Sequence, residues 1–156
     1  MPEKIITHAP QGPYFGGTYL YPNNAYLEVD RAVGKDIQFY NVQFYNQQTT
    51  PYNTSQGLFN VSGGWAPDTS VNEMIANGVP MEKIVVGKPA TPSDAYDEGS
   101  YMTASALNDS IVAAYRYNKW KTGVMYWQFS SDPTSSIIRD TLSGLYNLLK
   151  EDNPQP

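Results

Sequence analysis

The chain has 156 residues, enough for one domain with a real core, with ordinary apolar content (40%), few charges (16%) and many aromatics (13%), so it is neither disordered nor fibrous. A net charge of −5 and ten scattered Lys and Arg supply no basic face for nucleic acid or an anionic membrane. With no cysteine there is no disulfide, thiol nucleophile or zinc–thiolate site.

The elements alternate along the chain. A first strand is expected over 4–9 around Ile5 and Ile6, followed by a Pro/Gly/Tyr-rich loop over 10–23. A helix follows over 24–33, where Tyr26, Val29 and Val33 fall on one face and Gly34 is a C-terminal stop. The second strand spans 37–45 and leads into a long loop over 46–67. The next helix, 68–77, carries Ser70 and Glu73 at capping-box spacing and buries Val71, Met74 and Ile75, with Gly78 ending it.

The third strand, 83–87, has the continuous apolar run Ile84-Val85-Val86 that suits a strand buried on both faces. Its loop runs over 88–101. A helix over 103–118 then aligns Leu107, Ile111 and Ala114. The fourth strand is 123–129, and the last helix, 135–150, puts Ile138, Leu142, Leu145 and Leu149 on one side; Asp132 sits where it can cap that helix. Residues 151–156 read as a polar tail, leaving 1–150 as the domain.

This βαβαβαβα pattern calls for a parallel sheet. A small doubly wound sheet and half of an eightfold barrel both fit it. Loop length separates them: the loops after the strands are long and those after the helices short, as in barrels whose sites lie at the strands' C-terminal ends. The segment Gly12-Pro13-Tyr14-Phe15-Gly16-Gly17 matches neither phosphate-binding glycine pattern, which argues against a nucleotide site. The expected fold class is therefore α/β, four consecutive parallel βα units forming the C-terminal half of a (β/α)8 barrel.

The strand ends carry a more specific signal. They read Ile6-Thr7-His8-Ala9-Pro10-Gln11-Gly12-Pro13-Tyr14, Val42-Gln43-Phe44-Tyr45-Asn46, Val85-Val86-Gly87-Lys88-Pro89-Ala90 and Gly123-Val124-Met125-Tyr126-Trp127-Gln128. In this order they resemble strands five to eight of family 18 glycoside hydrolases, the chitinases, and most closely the class III, hevamine-like branch. Residues two apart on a strand share a face, so Gln43 pairs with Tyr45 and Met125 with Trp127. The resemblance implies substrate contacts from Gln43, Tyr45, Asn46, Met125 and Trp127. The Tyr45 hydroxyl and Gln43 amide would hold the N-acetyl group in the −1 subsite, with Tyr45 supporting the transition state and Trp127 as an apolar floor. It also implies a cis peptide after Trp127.

In that family the sugar's own acetamide attacks the anomeric carbon, and a glutamic acid ending strand four of the barrel protonates the leaving oxygen. Its signature, D-x-x-D-x-D-x-E, does not occur in this chain, nor does any D-x-E. Glu28 and Glu73 fall on expected helices, Glu151 at the end of the last one and Glu82 in a helix–strand loop; Asp97 and Glu98 read as a solvated pair. The catalytic strand is expected upstream of Met1. Loss of proton transfer alone removes roughly 10²–10⁴-fold in rate, so this chain is expected not to hydrolyse chitin by itself.

Three readings therefore stand: a chitinase fragment, with an endo-β-N-acetylglucosaminidase as a close relative; a non-catalytic chitooligosaccharide-binding module; and a half-barrel that assembles. The partners implied are chitin or chitooligosaccharide, and either a missing N-terminal half or a second copy of the chain. No cofactor is implied, and no His/Asp/Glu cluster has metal-ligand spacing. The resemblance points to a secreted enzyme, although Met1-Pro2-Glu3-Lys4 does not read as a signal peptide and the sequons at Asn53, Asn60 and Asn108 are little more than chance supplies. His8 reads as a satisfied core or rim residue. Tyr14, Phe15, Tyr19, Tyr21, Tyr52, Phe59 and Trp65 read equally as a sugar platform or as cover for the barrel.

Overall fold

A computed structural model describes residues 4–153. Met1–Glu3 and the end of the expected tail, 154–156, lie outside the described residues. Four parallel strands form one sheet in sequential order: β1 (Thr7–His8), β2 (Phe39–Gln43), β3 (Ile84–Pro89) and β4 (Val124–Trp127). The helices between them are α1 (Gly17–Leu20), α2 (Ala25–Val33), α3 (Val71–Ala76), α4 (Ala104–Asn118) and α5 (Ser136–Asp152). A strand order that never reverses, with the right-handed crossovers that parallel units almost always take, puts the long helices on one side of the sheet. That is half of a (β/α)8 barrel, and it excludes the doubly wound alternative, which requires a reversal of strand order.

The register shows how the two faces differ. Val42, Val86 and Val124 align in one row, and Gln43, Gly87 and Met125 in the next. The first row, with Tyr40, Phe44 and Ile84, belongs to the core beneath the helices. Trp120 completes it: its ring is fully buried, donates from Nε1 to the Ile84 carbonyl at 3.1 Å and meets Phe59 edge to face at 5.3 Å. β3 is buried along its whole length, as its central place and apolar run require.

Local signals explain the helix ends. Ser70 and Glu73 close a reciprocal capping box on α3, and Gly78 follows at φ +101°. Glu73 also accepts from the Ser62 N–H and hydroxyl. Burial pushes its carboxyl up, but these hydrogen bonds outweigh that and hold it below its ordinary range. Thr103 caps α4, which ends on Lys119 in the left-handed region. Asp132 accepts from the Ser136 and Ile137 N–H groups at 3.0 and 2.8 Å and so caps α5.

Several expectations need correction. The strand expected over 4–9 shrinks to Thr7–His8, because β1 is an edge and Ile5 and Ile6 remain exposed. Val33 is exposed rather than part of the α2 stripe, and Gly34 stays right-handed and continues into a 3₁₀ turn, Gly34–Asp36. β3 extends to Pro89, so Lys88 belongs to a strand. The last helix reaches Asp152, two residues into the expected tail.

Candidate functional site

At the C-terminal ends of the strands lies a cleft of about 430 Å³. Ala9 contributes from the end of β1, Gln43, Tyr45 and Asn46 from β2 and beyond, and Ser93–Tyr96 from the loop after β3; Met125, Trp127 and Gln128 complete it. All five residues singled out from the sequence thus line one cleft. They come together because the inward row of each strand ends there. Gly87 keeps the row open: a Cβ would lie 2.7 Å from Met125 Cε and 2.5 Å from the Val42 carbonyl oxygen.

Each side chain is held differently. Gln43 donates from Nε2 to the Ala9 carbonyl at 2.5 Å, while its Oε1 has no partner among the described residues. Tyr45 is only 6% exposed, yet its hydroxyl makes no hydrogen bond among the described residues, and burial raises its pKa, so it remains an O–H donor. Asn46 is already engaged: it accepts from the Tyr96 N–H through Oδ1 at 2.7 Å, and its own N–H donates to Ser100 Oγ at 2.5 Å. Trp127 is 53% exposed, its carbonyl accepts from the Ala90 N–H, and the peptide bond after it is cis.

Asp94 is the single carboxylate on the cleft wall among the described residues. It accepts from Thr91 Oγ1 and N–H at 2.7 and 2.9 Å and from Ser131 Oγ at 2.9 Å. These bonds, Thr91 foremost, hold its carboxyl below the ordinary range. An aspartate held ionised in this way has no proton to give a leaving group at neutral pH. Among the described residues no group of His, Asp or Glu could hold a metal ion.

The other residues weighed from the sequence fall away from the cleft. His8 is half-buried with Tyr26 Oη 3.2 Å from Nδ1. Phe15, Tyr52 and Phe59 are core, Tyr14 and Tyr21 pack on each other, and Tyr19 is exposed. Trp65 donates from its indole to the Gln47 carbonyl. Asp97 is not a solvated partner of Glu98: its carboxylate accepts from the Gln48 N–H and the Ser100 hydroxyl, pinning the loop after β3 to the loop after β2. The sequence reading also missed Lys88. It is fully buried, and its Nζ donates to the Phe44 and Tyr52 carbonyls at 3.0 and 2.9 Å. Burial lowers its pKa to about 7, against an opposing pull from Asp97. A buried lysine before Pro89 reads as loop; only its place on the helix side of β3 could have flagged it.

A parallel half-barrel with its cleft at the strands' C-terminal ends is the architecture of a (β/α)8 enzyme site. No protein-family model matches the chain, and a search of curated proteins gives no match. Solved structures do match. A family 18 chitinase from Pseudoalteromonas aurantia is 30% identical with a TM-score of 0.67, over 92% of this chain and 47% of that one. A fungal family 18 endo-β-N-acetylglucosaminidase is 22% identical with a TM-score of 0.63, over 90% and 46%. A chitinase from Aspergillus fumigatus is 21% identical with a TM-score of 0.55, over 80% and 39%. The chain spans about half the length, or less, of these structures. The likeness at 30% identity points to glycoside hydrolase family 18 without singling out a branch within it, and the two under 25% show the shared fold.

Proposed function

We propose that this chain is the C-terminal half of a chitinase-type barrel, closest to the hevamine-like branch, which supplies the sugar-binding side of a −1 subsite but no general acid. The reading rests on one observation: Gln43, Tyr45, Met125 and Trp127 all line a single cleft whose only carboxylate among the described residues, Asp94, is tied up as an acceptor. In this cleft the Trp127 indole lies beneath the apolar face of a pyranose. The Tyr45 hydroxyl donates to the acetamide carbonyl, and Gln43 Oε1 accepts from its N–H. Holding the acetamide against the anomeric carbon is the positioning half of substrate-assisted hydrolysis. The leaving oxygen still needs a proton, and that proton comes from a carboxylic acid outside these residues.

The sheet supports a partner as well. Among the described residues β1 and β4 are both edges, and the inward side chains of Phe39, Asn41, Gln43 and Met125 are half-exposed, whereas parallel sheets are normally covered on both faces. A complementary half-barrel fits that surface; a second copy of this chain is the alternative. Sequon Asn108 is spent inside the fold, accepting from the Gly144 N–H at 2.8 Å, while Asn53 and Asn60 are exposed. Export to a secretory compartment is part of the proposal. No helix among the described residues is long and apolar enough to cross a membrane.

Calorimetric titration with chitotriose and a chromogenic chitobioside assay test the reading together. Saturable binding without hydrolysis is expected. Hydrolysis by the chain alone would show that an acid has been overlooked; no binding would end the carbohydrate assignment.

A further inference from the structure

The cleft does not end at Trp127. Tyr96 and Ala95 line it and also line a second depression of about 420 Å³, whose other walls are Pro92, Asp97, Glu98 and Tyr101. The Tyr96 side chain is 95% exposed, an unusual situation for a large ring on a segment whose backbone is fixed. That fixing is specific: the Tyr96 N–H donates to Asn46 Oδ1 in the cleft, and Asp97 next to it accepts from the Gln48 N–H at 2.9 Å. The ring is therefore presented by a braced turn rather than a loose one.

The neighbouring polar groups complete the picture. Neither the Glu98 carboxylate nor the Tyr101 hydroxyl has a hydrogen-bond partner among the described residues, and both border the depression. An exposed aromatic ring on a braced backbone, flanked by an unused acceptor and an unused hydroxyl, is the kind of surface that binds a sugar ring, stacking its C–H face and bonding its hydroxyls. Asp94 keeps the intervening wall in place through Thr91 and Ser131.

We infer that Tyr96 is the stacking platform of a second sugar subsite, contiguous with the cleft, so that the chain binds an oligosaccharide across both depressions rather than one residue at a time. The inference rests on the carbohydrate reading above and extends it to chain length. It assigns Tyr96, Glu98 and Tyr101 a role in length selectivity, and gives Asn46 the task of positioning Tyr96 rather than contacting sugar itself.

The test is calorimetry of the full chain with chitobiose and chitotetraose, on the wild type, Tyr96→Ala and Tyr96→Phe. The expected result is tighter tetraose binding by the wild type, a roughly tenfold loss for tetraose with little change for biose in Tyr96→Ala, and retention in Tyr96→Phe. Wild-type binding that Tyr96→Ala leaves unchanged at both lengths overturns the subsite and leaves the cleft assignment standing. Equal loss at both lengths also overturns it, because Tyr96 then belongs to the first cleft. No wild-type binding at either length overturns both readings.

Discussion

The two faces of the sheet are built from the same strands and obey opposite rules. On the helix side Tyr40, Val42, Phe44, Ile84 and Val86 are fully buried. On the other side Phe39, Asn41, Gln43 and Met125 are half-exposed, and Trp127 stands more than half in solvent. The two indoles put the contrast in one residue type: Trp120 stabilises the core, while Trp127 is left open at the strand ends. The first face makes the fold, and the second presents chemistry and an unfinished surface.

The comparison breaks most visibly at Trp120. Trp120→Ala empties a fully buried ring site and should cost about 3–5 kcal/mol in denaturant unfolding. A loss below 1 kcal/mol would mean that the helix side is not the core. The next effect is at Gly87, where the faces meet. A Cβ there would press on the Val42 carbonyl and Met125, so Gly87→Ala should cost roughly 1–3 kcal/mol and weaken chitotriose binding at the same time.

Lys88 sharpens the contrast through pH. Two Nζ protons are met by the Phe44 and Tyr52 carbonyls, which suits a neutral amine and leaves an ammonium's third proton without an acceptor among the described residues. With its folded pKa near 7 and its ordinary value at 10.5, the unfolded chain binds more protons between those values. Stability from this group should therefore rise as pH climbs from about 7 toward 10.5. Thermal melts of the wild type should gain on those of Lys88→Met over that range; parallel curves would show that the lysine stays charged inside. The smallest change in stability belongs to Trp127→Ala: within about 0.5 kcal/mol of the wild type, but with chitotriose affinity down about 30-fold.

Long periodic segments were legible in the residues. The α3 capping box, the Leu107–Ile111–Ala114 stripe and the β3 apolar run each rest on spacing that has one good structural solution. The resemblance of the strand-end motifs to family 18 chitinases singled out Gln43, Tyr45, Asn46, Met125 and Trp127; alternation along a strand adds only that Gln43 shares a side with Tyr45 and Met125 with Trp127. What stayed hidden depends on neighbours distant in the chain. β1 is short because no described residue covers its outer edge, which Ile5 and Ile6 cannot reveal alone. Lys88 is buried because Phe44 and Tyr52 offer carbonyls from another segment, and the Tyr96 turn is braced by Asn46, fifty residues earlier.

The three indole N–H groups offer the most direct test of the sugar-binding face. Those of Trp65 and Trp120 are donated to the carbonyls of Gln47 and Ile84, whereas that of Trp127 has no partner among the described residues. Titrating ¹⁵N-labelled chain with chitotriose and following these resonances by NMR should move the Trp127 signal saturably and leave Trp120 in place. A Trp127 signal that stays fixed at high sugar concentration, or three signals that drift together, would contradict the account.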